Sequence, residues 1–167
     1  MTLPGNHKVL LIGYGNPARE DDGLGLAAAQ AIEKLGIEGV SVDSNYQLTV
    51  EDAASAAGHD VVVFVDASTQ GKDPVVFYEL EPKRRESFTS HSVDPEAILG
   101  LTHDLFNAET RGFMLGIRGY SFDMFKEEMT TEALNNLETA VKFITPLLET
   151  KSFEGLSKQE GNPGRIP

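Results

Sequence analysis

The apolar run Lys8-Val9-Leu10-Leu11-Ile12 leads straight into Gly13-Tyr14-Gly15-Asn16-Pro17-Ala18-Arg19-Glu20-Asp21-Asp22-Gly23-Leu24-Gly25, and this junction restricts the fold more than any other stretch. A continuous apolar run of this length reads as a strand covered on both faces. A glycine-rich turn that leaves such a strand for a helix is the βα junction of α/β proteins, which gather their sites at the C-terminal ends of strands. The free N–H groups of such a turn ordinarily favour an anion. Here Glu20, Asp21 and Asp22 would repel a phosphate and attract a cation, so the turn reads as a candidate site for a metal or a cationic ligand.

The rest of the chain continues the alternation. Leu24, Ala28, Ala31 and Leu35 recur with helical spacing after Gly23, Gly36 supplies a stop, and Asp21 or Asp22 is placed to cap the start. A short strand over 39–43 and a helix over 48–54 capped by Thr49 follow. Residues 60–66, Asp-Val-Val-Val-Phe-Val-Asp, form the strongest strand, rich in β-branched residues, ending on an acid and central to the expected sheet. Residues 75–80 give a fourth strand only about eight residues later, too close for a parallel crossover, so an antiparallel hairpin with the third strand is expected. Asp94 caps a helix with Pro95 at its first position, its buried stripe read as Ile98, Leu101 and Leu105. A fifth strand covers 113–117. The last helix begins near Thr130 with Leu134, Leu137, Val141, Ile144 and Leu148 as its stripe, and Pro146 is expected to kink or end it. The order predicts a three-layer α/β sandwich, a mostly parallel mixed sheet of about five strands with helices on both faces. Residues 1–150 read as one domain and 151–167, rich in glycine, proline and mixed charge, as a mobile tail.

Composition excludes several functions. A net charge of -12 over 167 residues argues against nucleic acid or an anionic membrane as the main partner. No cysteine is present, which removes disulfides, thiolate nucleophiles and zinc–thiolate sites. No apolar run approaches the ~20 residues of a membrane span, and a cytoplasmic protein is expected.

Three groups fall at the expected C-terminal strand edge: Asp22 after the first strand, Asp66 closing the third, and His91 in the loop after the fourth. Two carboxylates and an imidazole suit a divalent first-row metal such as nickel or zinc and suit calcium poorly. Taken singly each has a plainer role, Asp22 as a helix cap, Asp66 as a turn cap and His91 as a surface histidine. His7, His59 and His103 follow no strand. Lys83, Arg84 and Arg85 read as a solvated loop face, the alternative being that they steer an acidic partner segment toward His91. Gly13-Tyr14-Gly15-Asn16-Pro17-Ala18 also fits the loose dinucleotide pattern, with Asp43 as the ribose acid. Against that, Pro17 removes an N–H and the three acids stand where pyrophosphate would lie.

In order, Gly13-x-Gly15-Asn16, Asp21-Asp22-Gly23-x-Gly25, Tyr46-Gln47-Leu48-Thr49, Asp66-Ala67, Ser90-His91 before Pro95, and Gly116-Ile117 resemble the endopeptidases that mature the large subunit of nickel-iron hydrogenases. The resemblance spans nearly the whole chain. It implies a hydrolase that removes a short C-terminal peptide from the hydrogenase large-subunit precursor after nickel insertion. Carried over by motif, it assigns Asp22, Asp66 and His91 as the metal-contacting and catalytic residues, with Asp21 as rival for the first position. Nickel would be that of the substrate's own centre, with zinc or cadmium able to replace it in a crystal. The resemblance further leads us to expect Asn16 to hold the turn through side-chain bonds to backbone, and Tyr46 and Gln47 to line the cleft. A dinucleotide-binding oxidoreductase and a non-catalytic assembly chaperone are the competing readings.

Overall fold

The computed structural model describes residues 7–83 and 93–153. Five strands form one sheet: β1 (Val9–Tyr14), β2 (Val40–Asn45), β3 (Val61–Ser68), β4 (Val75–Glu79) and β5 (Arg111–Arg118), in the spatial order β2-β1-β3-β5-β4. Strands β2, β1, β3 and β5 are parallel, and β4 runs antiparallel at the edge. β3 takes the centre, as its β-branched sequence leads one to expect. The expected hairpin between β3 and β4 does not form. β4 has the antiparallel direction that its short connection requires, but β5 is inserted between the two, so that β4 closes the sheet on β5.

Period-two alternation along the strands divides the core into two layers. On one face Val9, Leu11, Val61, Val63, Val65, Phe77, Phe113 and Leu115 pack against α1 (Leu24–Leu35) and α4 (Thr131–Thr150). On the other, Leu10, Ile12, Val62 and Phe64 meet α2 (Glu51–Ala57) and α3 (Pro95–Phe106). The result is the three-layer α/β sandwich with a mostly parallel mixed sheet.

Several local expectations shift. Neither Asp21 nor Asp22 caps α1: a 3-10 turn (Glu20–Gly23) precedes the helix, and Gly23 occupies the cap position without a side-chain bond. α2 begins at Glu51 rather than at 48. Thr49 does not cap it by its side chain; instead its N–H donates to Asp52 Oδ2 at 2.8 Å. Asp94 caps α3 as expected, accepting from the Ala97 N–H at 2.8 Å. The stripes move by a residue or more. Leu35, Leu105 and Leu134 are exposed, and Ile32, Leu99, Ala133 and Ala140 are buried in their stead. Pro146 neither ends α4 nor lies against the sheet; it is exposed on the outer side, and the helix continues to Thr150. Beyond α4, Lys151 adopts a left-handed conformation and its ammonium donates to the Glu38 carbonyl at 2.7 Å. Phe153 is fully buried and stacks on Phe113 with ring centroids 4.9 Å apart. The packed unit therefore reaches at least Phe153, past the boundary expected at 150. The tail reading for 154–167 lies outside the described residues.

Candidate functional site

Tyr14 and Asp66 are the next residues along β1 and β3 after the paired Gly13 and Val65. By alternation both point to the face of Ile12 and Phe64, and the Tyr14 hydroxyl donates to the Asp66 carboxylate. The Ala67 N–H donates to Asp66 Oδ1 at 2.7 Å. Opposite this pair the glycine turn brings in Asp22. Its carboxylate Oδ2 accepts from the Asn16 N–H at 2.9 Å, while the Asn16 side chain accepts from the Ala18 N–H at 2.9 Å. Asn16 thus holds the turn through the side-chain-to-backbone bond expected of it. Gly15 is required by two constraints: its φ of 138° is a conformation that side chains avoid, and a Cβ there would collide with the Asp22 carbonyl. Gly25 allows the start of α1 to press against the Tyr14 and Val65 carbonyls.

Asp22 and Asp66 open on the same cleft, about 470 Å³ in volume and lined also by Tyr14, Tyr46, Gln47, Leu48 and Asp94. Tyr46 and Gln47 take the places expected of them. Burial pushes the Asp66 carboxyl up to about 7, the negative charge of Asp22 adds to this, and the bonds from Ala67 and Tyr14 only partly oppose it. The Tyr14 hydroxyl is held protonated, first by burial and then by the Asp66 charge. Two carboxylates whose mutual repulsion raises a proton affinity form a cation-seeking pair. Their oxygen donors fit a divalent ion that keeps positions open to other ligands.

Asp21 turns the other way. It is fully buried, and it accepts from the Tyr120 N–H at 2.8 Å, the Ser121 N–H at 3.1 Å, the Thr130 N–H at 2.8 Å and the Thr130 hydroxyl at 2.8 Å. Burial would raise its pKa, yet these bonds together hold it below the ordinary carboxylate value. The adjacent acids thus divide: Asp22 faces the cleft and Asp21 fastens the turn to the segment before α4.

His91, Arg84 and Arg85 lie outside the described residues, and among the described residues no group of three His, Cys, Asp or Glu is placed to hold a metal. Of the other histidines, His59 Nδ1 bonds to the Ser55 carbonyl and His103 Nε2 to the Thr110 carbonyl, both at 2.7 Å and away from the cleft. Lys83 pairs with Asp94 Oδ2 at 2.8 Å, which ties it to the start of α3. Tyr14 and Asp94 were not singled out as site residues, although Tyr14 could have been placed there by counting alternation along β1. The dinucleotide reading loses its donors: the Asn16 and Ala18 N–H groups that a pyrophosphate would need are taken by Asp22 and Asn16. Asp43 sits within β2 beside Ile12 and does not line the cleft.

Fold and site together define an α/β sandwich with a two-carboxylate cleft at the C-terminal edge of its parallel strands. Solved structures that share this fold include several hydrogenase maturation proteases. HycI, a NiFe hydrogenase maturation protease from Thermococcus kodakarensis KOD1, is 20% identical with a TM-score of 0.69, over 87% of this chain and 95% of that one. The hydrogenase maturating endopeptidase HybD from E. coli is 17% identical with a TM-score of 0.63, over 90% and 95% respectively. The endopeptidase HycI from Escherichia coli is 16% identical with a TM-score of 0.66, over 92% and 97%. At these identities the likeness establishes a common fold. No family model and no curated protein matches the chain. Among the described residues no helix is long and apolar enough to cross a membrane.

Proposed function

We propose that the chain is a cytoplasmic endopeptidase that removes the C-terminal peptide of a nickel-iron hydrogenase large-subunit precursor after nickel has been inserted. The observation that carries this reading is the convergence of Asp22 and Asp66 on one cleft, with Asp66 poised near pH 7. The motif resemblance and the common fold support it. Asp22 and Asp66 would hold the substrate's nickel, and His91 is the third ligand that the motif order assigns. A bound divalent ion supplies Lewis acidity for the scissile carbonyl and for water. The chain supplies the rest. With the ion bound both carboxylates would be held ionised, and one of them is placed to take the proton of the attacking water. Tyr14 and the Ala67 N–H together fix the Asp66 carboxylate by donating to it. Asn16 and the fixed turn hold Asp22 in place, and Tyr46 and Gln47 form the wall along which an extended peptide lies.

The test is cleavage of nickel-loaded precursor by the wild type and by Asp22→Ala, Asp66→Ala and His91→Ala, with products weighed by mass spectrometry. Tail removal is expected to fall by at least 10²-fold in each variant, in line with loss of a positioned acid–base group. Undiminished removal in all three would sink the site assignment.

A further inference from the structure

A second surface adjoins the cleft. Residues 119–130, between β5 and α4, lie against the glycine turn through the Asp21 bonds, and their far end pairs with it as an added strand-like bridge. The Lys126 N–H donates to the Ala18 carbonyl at 3.0 Å, and the Glu20 N–H donates to the Lys126 carbonyl at 2.7 Å. From this doubly fastened segment Phe125 projects, 87% exposed, at a φ of 65°. A bulky residue in the left-handed region is an outlier that persists only where its surroundings impose it. Water-exposed Phe gains nothing for the free chain in return, and Met124 beside it is also exposed. Next to Phe125 lies a pocket of about 560 Å³ whose lining includes Glu20, Lys126, Glu127, Glu128 and the apolar Met129. Glu20 lines it and is buried, with Oε2 unpartnered among the described residues and Lys126 Nζ at 3.7 Å from Oε1. These carboxylates are not grouped to hold a metal ion. Spread around a recess of this size, they suit an ammonium or guanidinium on a side chain.

We propose that Phe125 and this acidic pocket form a docking face for the body of the substrate protein, Phe125 entering an apolar recess while the pocket takes a lysine or arginine side chain. The inference rests on the protease reading, because the loop is bonded to the turn that carries Asp22 and the partner is the protein whose tail enters the cleft. An exposed, rigid aromatic flanked by charge is the usual make-up of an interface anchor. The carboxylates at the pocket rim, Glu127 and Glu128, favour encounter with a basic patch.

The experiment compares wild type, Phe125→Asn and the double variant Glu127→Gln with Glu128→Gln by steady-state cleavage of nickel-loaded precursor, with thermal melting of each. KM is expected to rise about tenfold in both variants with kcat unchanged, the size of a truncated anchor. Phe125→Asn, in which asparagine accepts the left-handed backbone, is expected to melt at the wild-type temperature or above it. Wild-type KM should climb with added salt more steeply than that of the double glutamine variant. Unchanged KM in both variants beside an active wild type would overturn the docking face and leave the protease reading standing. So would a lower melting temperature with unchanged KM, which would make Phe125 a packing residue. A wild type that neither binds nor cuts the precursor would overturn both.

Discussion

Asp66 keeps its proton to about pH 7 because it is buried near a second carboxylate. In the unfolded chain the same group ionises at its ordinary value of 3.8. Between those values the folded state binds the extra proton, so stability falls as pH rises from about 4 to about 7 and is level above that. Asp66→Asn keeps an acceptor for Tyr14 and Ala67 and removes the charge. In metal-free protein it is expected to be more stable than wild type by about 2–3 kcal/mol at pH 8, after allowance for partial exposure, and equal to it at pH 4. Denaturant unfolding at the two pH values measures this, and an equal difference at both would refute the buried-charge account. Which of Asp21 and Asp22 faces the cleft was not legible in the sequence. The two are neighbours in a turn, and their directions depend on the segment 119–130, about a hundred residues away. That Asp66 lies toward the C-terminal end of β3 was legible, since an acid follows the apolar run, although the strand does not end there and continues to Ser68.

At the scale of elements, local chemistry carried well and pairing did not. The Asp94-Pro95 start of α3 and the Gly36 stop of α1 rest on bonds made within a few residues, and both stand as read. The position of β4 depends on a strand that arrives more than thirty residues later, and no turn chemistry announces it. Helix stripes were misread where alanine, not leucine, meets the sheet, as with Ala133 and Ala140 in α4. Small residues let α4 lie close to the strands, and the larger Leu134 is left outside. Pro146 offers a prediction here. It sits on the exposed side of a continuous helix and cannot donate to the Lys142 carbonyl. Pro146→Ala is expected to stabilise the protein by about 1–3 kcal/mol, measured by chemical denaturation. A loss of stability would show that the ring is needed for packing.

For the molecule as a whole, the order of elements and the apolar runs were enough to reveal three layers, since each run must bury a face. The closing segment was not legible. Lys151, Ser152 and Phe153 look like the start of a polar tail, yet Phe153 completes the aromatic stack over Phe113 and Phe77. A chain ended at Thr150 loses that ring and the Lys151 bond to Glu38. Phe153→Ala is expected to cost about 3–5 kcal/mol, the range for a fully buried Phe, read as a drop in the denaturation midpoint. A change below 1 kcal/mol would remove Phe153 from the core.

Under the proposed protease function, the four bonds to Asp21 have a consequence for how a cut would be located. They fuse the turn bearing Asp22 and the loop bearing Phe125 into one body, so the span from one to the other is a fixed length. A protein gripped at the loop offers the cleft whatever backbone lies at that reach. On the proposed protease and docking readings, the scissile bond would then be chosen by measurement from a landmark, much as a jig sets where a saw meets the wood, and not by the side chains that flank it.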